Sequence, residues 1–466
     1  MFTDRISKIF VVALNFFALA AAFPLAARAN SDWMSGQLVT PGSAGLGLMM
    51  RSERSRYEGV GVLNDLVPLY LYEGERFFLH PTRAGVKLSE DGTQRFDLFV
   101  DVRLEGFPQG NIPASLAGMQ SRESTTDLGV SYTHRAPWGN LHAEFLHDAL
   151  NLTKGSEARI GYTYNWNAGR WHLRPGLYLS LRDARLNNYY YGVRPNEATA
   201  SRPAYMPGAG IDTWLGVFGY YDLSGGWRIL GGLSLNRLDG AVRSSPIVRD
   251  GLRPAAFLGA AYDFGSHHHA QAFEASEPLI VKLLYGKSTA CNLNKTILFR
   301  CVSTDTADET RIAGVNLGRS FITRLHGWPL DFVGYVGLLH HDENGLQPDF
   351  LQVNAYMKAY YYGFPWSERV RTRVGFGAGV SYAHRVPFAE ARDQALRGRG
   401  TSRMLNYLDP SIDISIGDLV GSRALKESYL GVGVSHRSGI FGSSRMLGNV
   451  NGGGNYIYTY LEWKMK

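Results

Sequence analysis

The sequence predicts an all-β outer-membrane protein built from two transmembrane β-barrels in tandem. Three observations predict it. Many short segments alternate apolar and polar residues, the period of a strand with one face to lipid and one to a lumen. Glycine (54) and tyrosine (26) are abundant, and the chain has two cysteines. A secretory signal stands at the N-terminus.

That signal occupies residues 1–29. Arg5 and Lys8 give its positive start, Ile9 to Leu25 its apolar run, and Ala27-Arg28-Ala29 a small-x-small cleavage site. The mature chain then starts at Asn30. No later apolar run reaches the roughly eighteen residues of a membrane helix. The formal charge is +7; Arg5, Lys8 and Arg28 against Asp4 account for +2 of it, leaving +5 on the mature chain. So diffuse a charge, on an exported chain, excludes a nucleic-acid partner. Basic residues at an outer rim meet lipopolysaccharide phosphates instead.

Residues 30–264 form the first expected barrel. Its cleanest strand is Arg95 to Glu105, where Phe96, Leu98, Val100, Val102 and Leu104 alternate with Asp97, Phe99, Asp101, Arg103 and Glu105. Weaker alternation recurs at 66–72, 127–134, 141–145, 157–166, 170–182, 211–222, 227–238 and 255–264. Asn167-Ala168-Gly169 and Ser224-Gly225-Gly226 are tight-turn signals. About ten to twelve strands are expected here. Several stretches resemble the MipA/OmpV family of MltA-interacting outer-membrane proteins. They are Tyr57-Glu58-Gly59, Pro68-Leu69-Tyr70-Leu71-Tyr72, Arg76-Phe77-Phe78-Leu79, Asn188 to Val193 and Tyr205 to Gly210. The resemblance implies an outer-membrane barrel and, for some members, a scaffold beside murein hydrolases. It implies no catalytic residues.

Phe264 ends the last of these strands in the manner of a barrel-closing aromatic. Residues 265–277, with His267-His268-His269, then read as a solvated linker rather than a metal site. Residues 278–466 give eight strand candidates, at 279–286, 309–321, 329–340, 350–362, 369–382, 404–417, 427–438 and 454–464. The first, third, fifth and seventh connections are mostly the longer ones. Long loops are extracellular, so both chain ends of this barrel are periplasmic. Cys291 and Cys301 close a small extracellular loop as a disulfide after export. Tyr360-Tyr361-Tyr362 with Trp366 read as an interfacial girdle, and His340-His341 and His384 as solvated rim.

The seventh strand carries the chemistry. Leu430, Val432, Val434, His436 and Ser438 share one face, and Tyr429, Gly431, Gly433, Ser435 and Arg437 the other. A lipid-facing row thus ends in a histidine and a serine at the outer rim. A histidine that takes the serine proton, itself held by a third group, makes a nucleophile. Asn455, outermost on the facing side of the last strand, is the candidate third member. These residues resemble the lipid A deacylase family, PagL, an eight-stranded barrel with a His-x-Ser motif on its penultimate strand. The resemblance implies hydrolysis of an ester-linked lipid A acyl chain, with Ser438 as nucleophile, His436 as base and no cofactor. Two positions depart from that pattern. Gly439 stands where the family has Asn, leaving only a backbone N–H as oxyanion donor. The family's acid has no counterpart, since Glu462 falls on the opposite face near the periplasmic end.

Two rival readings remain at this level. One is a non-catalytic scaffold or envelope-integrity barrel. The other is one larger barrel of about eighteen to twenty strands acting as a pore.

Overall fold

The computed structural model describes residues 44–107, 112–249, 251–264, 278–304, 306–440, 444, 447–448 and 450–465. The signal peptide and the 265–277 linker lie outside the described residues. Two separate β-sheets each close into a barrel, one of twelve strands and one of eight. The single large barrel is therefore set aside. The last strand before residue 265 pairs back to the first strand of its own sheet, and the first strand after residue 277 pairs with the last strand of the chain.

The first barrel comprises β1 (Ala44–Arg54), β2 (Val62–Glu73), β3 (Phe77–Leu79), β4 (Arg83–Glu90), β5 (Gln94–Arg103), β6 (Thr125–Ala136), β7 (Gly139–Asp148) and β8 (Ser156–Thr163). A short arm, β9 (Trp166–Ala168), precedes β10 (Trp171–Arg182), β11 (Gly210–Asp222), β12 (Trp227–Arg237) and β13 (Arg253–Asp263). All pairings are antiparallel neighbours, and β1 with β13 closes the ring. β1, β3 and β4 escape the sequence reading; β3 is only 3 residues long, too short to show a period. The turn signals are where the sequence puts them: Gly169 and Gly225 take φ of +59° and +73°, which a side chain resists.

Alternation sets this wall. On β5, Phe96, Leu98 and Val100 face outward and stay exposed, while Asp97, Phe99 and Asp101 are buried in the lumen. Charges taken from water need partners. Arg83 pairs with Asp101 and Glu144, and Arg103 with Asp127 and Glu157. The longer loops gather at one end and bury an apolar cap of Tyr57, Phe107, Leu186, Tyr190, Tyr191 and Ile247, among others. Beneath it Glu105 holds Arg56 and Arg182. Residues carrying the MipA/OmpV resemblance, Tyr57 and Asn188 to Val193, converge in this one cap.

The second barrel comprises β14 (Ile280–Ser288), β15 (Arg311–Ile322), β16 (Leu330–Asp342), β17 (Phe350–Tyr361), β18 (Thr372–Ala383), β19 (Met404–Ser415), β20 (Ser428–Ser438) and β21 (Asn455–Lys464). Its lumen is filled by ion pairs and tyrosines. Asp409 sits between Lys282 and Lys358, 3.0 Å from each. Glu462 binds Arg373 at 2.8 Å and accepts from Tyr335 and Tyr360. Tyr360 thus leaves the expected girdle, because parity turns it inward to a buried carboxylate. His341 likewise leaves the expected rim: it is buried, stacked on Phe350 and bonded to Gln352 at 2.9 Å, while His340 stays exposed. The helix Phe388–Leu396, in the long 384–403 loop, buries Glu390 and Gln394 at the barrel mouth.

The barrels pack side by side with like ends together. Phe264, just after β13, meets Phe332 at 4.7 Å. Val102 and Leu104 pack with Leu405, Leu447 and Val450. Leu104, outward by parity, is buried for that reason. Among the described residues, β3 pairs with β2 at Tyr72 and Glu73, and Val62–Leu71 has its strand partner on the β1 side.

Candidate functional site at the outer rim of the second barrel

The site is built on the β20–β21 hairpin. Arg437 points into the lumen, where it reaches Gln352 at 3.2 Å and Glu390 at 3.2 Å. Its neighbours His436 and Ser438 therefore leave the strand on the outer side. They stand at the end of the barrel that carries the connections 289–310, 384–403 and 439–454. That is the extracellular end of an outer-membrane barrel.

The ladder sets His436 opposite Asn455, and the His436 Nδ1 lies 2.5 Å from Asn455 Oδ1. Asn455 Nδ2 in turn donates to the Cys291 carbonyl at 2.9 Å. An amide nitrogen only donates and an amide oxygen only accepts. The second bond thus orients the amide, and the first then places the imidazole proton on Nδ1. Nε2 is left as the basic nitrogen, the tautomer a general base requires.

Cys291 and Cys301 are bonded to each other. The loop they close contains the helix Leu293–Ile297, which packs against β20. The loop therefore packs beside the hairpin and holds the asparagine that holds the histidine.

Among the described residues no hydrogen bond joins Ser438 to His436. Ser438 lies opposite Asn406 on β19, and His436 opposite Leu408. The Gly439 N–H is not open to an oxyanion, because it donates to the Gly452 carbonyl at 3.2 Å. A Cβ at Gly439 would lie 2.1 Å from the Val450 carbonyl oxygen, so no side chain fits there without a backbone shift. Glu462 is in the lumen with Arg373.

Three residues of this neighbourhood escaped the sequence reading. Asn406 lies outward beside Ser438, and its Oδ1 accepts from the Tyr70 hydroxyl of the first barrel at 2.5 Å. Glu390 reaches Arg437 from a loop helix. No local pattern marks these contacts; only barrel closure and barrel packing create them. Tyr70 carried one signal, its place in the Pro68 to Tyr72 stretch.

Residues 45–264 match the MltA-interacting protein MipA family. The match covers the first barrel and stops at its last strand. Outer membrane protein Omp26La of Vibrio anguillarum is 34% identical over 150 residues, covering 32% of this chain and 58% of that protein. Outer membrane protein OmpV of Vibrio cholerae is 34% identical, covering 29% and 52%. The chain thus spans little more than half the length of these two relatives. The MltA-interacting protein of Escherichia coli is 26% identical over 206 residues, covering 42% of this chain and 81% of that protein. Among solved structures, the copper transporter OprC aligns with 92% of this chain and 81% of its own at 13% identity and a TM-score of 0.24. A score that low establishes no shared architecture. The protein is an outer-membrane protein with a MipA-like first barrel.

Proposed function

We propose that the second barrel is a lipopolysaccharide-remodelling esterase that removes an ester-linked acyl chain from lipid A. Ser438 is the nucleophile, His436 the base and Asn455 the residue that holds the base. The observation that carries this reading is the His436–Asn455 hydrogen bond on the outer wall, two residues from an outward serine. An amphiphile with its acyl ester at the headgroup level presents that ester to this height of the wall.

The chemistry needs only water. Nε2 of His436 takes the Ser438 proton as Oγ bonds to the ester carbonyl carbon. The carbon–oxygen bond to the sugar or acyl hydroxyl then breaks, and His436 returns the proton to that leaving oxygen. Water attacks the acyl-serine with His436 again as base; the fatty acid leaves and Ser438 regains its proton. Catalytic hydrogen bonds that are absent without substrate commonly form in the complex. The step requires the Ser438 side chain to turn toward Nε2.

The test is the mass of lipid A from cells expressing the chain or its Ser438→Ala variant. Loss of one acyl chain in the first and not the second supports the reading. Identical lipid A in both removes it.

A second reading comes from the relatives. One of them is named for interaction with MltA, and the alignment spans 81% of it. The MipA-like barrel would then serve as a docking scaffold for a murein hydrolase. Co-purification of a murein hydrolase with the full chain, alongside unchanged lipid A, favours that role.

A further inference from the structure

We propose that Asn406 supplies the oxyanion donor for Ser438, and that Tyr70, from the first barrel, is the positioning residue that aims it. This rests on the esterase reading above. If it holds, the hydrolytic site of the second barrel is completed by a residue of the first.

Three observations converge. Attack of Ser438 Oγ on an ester pushes the carbonyl π pair onto oxygen, and that oxyanion needs an N–H donor. The backbone N–H next to the serine is already spent, on Gly452 at 3.2 Å. Residue 439 has no space for a donor side chain, since even a Cβ would come within 2.1 Å of the Val450 oxygen.

The nearest outward polar side chain on the neighbouring strand is Asn406. Register puts it directly opposite Ser438, and directly opposed residues have Cβ atoms about 4.5–5.5 Å apart. A carbonyl carbon bonded to Oγ would therefore hold its oxygen within reach of the amide.

The amide has two prongs with opposite character. Tyr70 donates to Oδ1 at 2.5 Å, and both residues are buried. With the acceptor prong fixed on the first barrel, the N–H₂ prong faces away from it. Among the described residues Nδ2 makes no hydrogen bond. An Asn in this position without Tyr70 would rotate freely between presenting a donor and presenting an oxygen, and an oxygen repels an oxyanion.

The experiment uses the full chain in detergent micelles with purified hexa-acylated lipopolysaccharide, reading fatty-acid release by mass spectrometry. Heat-modifiable migration checks that each variant is folded. Asn406→Asp keeps the shape and the Tyr70 contact but donates nothing; it is expected to lower kcat by about 10²–10³-fold with KM unchanged. Asn406→Leu is the second variant, should the added charge disturb folding, and should fall as far. Tyr70→Phe is expected to lower kcat about tenfold, again without KM. The double variant Tyr70→Phe/Asn406→Leu should be no slower than Asn406→Leu alone, a coupling that a purely structural role of Tyr70 would not produce.

Full activity in both folded Asn406 variants, with Ser438→Ala inactive, overturns this inference and leaves the esterase reading standing. An additive loss in the double variant overturns the role of Tyr70. Equal release by Ser438→Ala and the unmodified chain overturns both readings.

Discussion

Asn455 accepts a 2.5 Å hydrogen bond from the imidazole of His436 across the last hairpin, and its own N–H₂ is anchored to the Cys291 carbonyl. One amide thereby fixes both the tautomer of the histidine and its tie to a disulfide-closed loop. Removing it leaves Nδ1 without its acceptor and lets the ring reorient. Asn455→Ala is expected to slow acyl release on the order of 10²-fold, with heat-modifiable migration retained. Kinetics on micellar lipopolysaccharide measure it, and full activity in the variant would count against the orienting role.

The disulfide acts on the same amide from the other side. A loop of this length closed by Cys291–Cys301 contributes about 3 kcal/mol to its own ordering. Its opening frees the helix Leu293–Ile297 and the carbonyl that anchors Asn455. Cys301→Ser, or reduction of the folded chain, should leave the barrel closed and lower turnover toward the Asn455→Ala level. Limited proteolysis within 289–310 follows the loop, and an unchanged cleavage rate after reduction would refute the coupling.

The lumen of the second barrel predicts a stability effect with no kinetic counterpart. Asp409 is fully buried between Lys282 and Lys358 and also accepts from Tyr458. Asp409→Ala leaves two buried ammonium groups without a counter-charge. Breaking such an ion pair costs about 3–5 kcal/mol. Denaturant unfolding in detergent reads it; a shift under about 1 kcal/mol would mean that water reaches the lysines.

Glu390, on the helix Phe388–Leu396, lies outside the strands. Burial pushes its carboxyl up to about 7; Arg437 opposes the shift and Glu343 adds to it. In the folded state the group holds its proton to higher pH than in the unfolded chain. Between its ordinary carboxylate range and about 7, the folded state therefore binds more protons, and stability falls as pH rises through that window. The helix should become more accessible to hydrogen exchange between pH 5 and 8. Glu390→Gln should flatten that dependence, and a dependence that survives the substitution would assign it elsewhere.

Gly439 closes against Val450 with no room for a Cβ. Gly439→Ala should destabilise the hairpin by about 1–3 kcal/mol, as overpacking does. Gly439→Asn should reduce activity rather than raise it, because the backbone shift moves Ser438. Faster hydrolysis in Gly439→Asn would show that the hairpin tolerates the side chain.

Much of the second barrel was legible as sequence. All eight of its strands fall where alternation places them, with ends displaced by a few residues. The first barrel was less so: β1 and β4 were not placed, and β3 has too few residues to show a period. Tyr360 and His341 were misjudged because neighbouring aromatic or histidine residues look alike in a run, while a strand sends them to opposite faces. The partners that draw them inward, Glu462 and Gln352, lie on other strands.

By itself the sequence determined the outward and inward faces of the cleanly alternating strands, such as β5 and β20, because alternation is local and repeats every second residue. It also determined the turn positions, where glycine takes a backbone angle that other residues resist. Only the tertiary structure decided between two closed barrels and one larger one, and showed that their walls meet along β2 and β19. It also decided that Tyr70 and Asn406, 336 residues apart, share a hydrogen bond. Outwardness can be read along one strand. What an outward residue touches depends on closure, register and the approach of a second barrel, which no local period encodes.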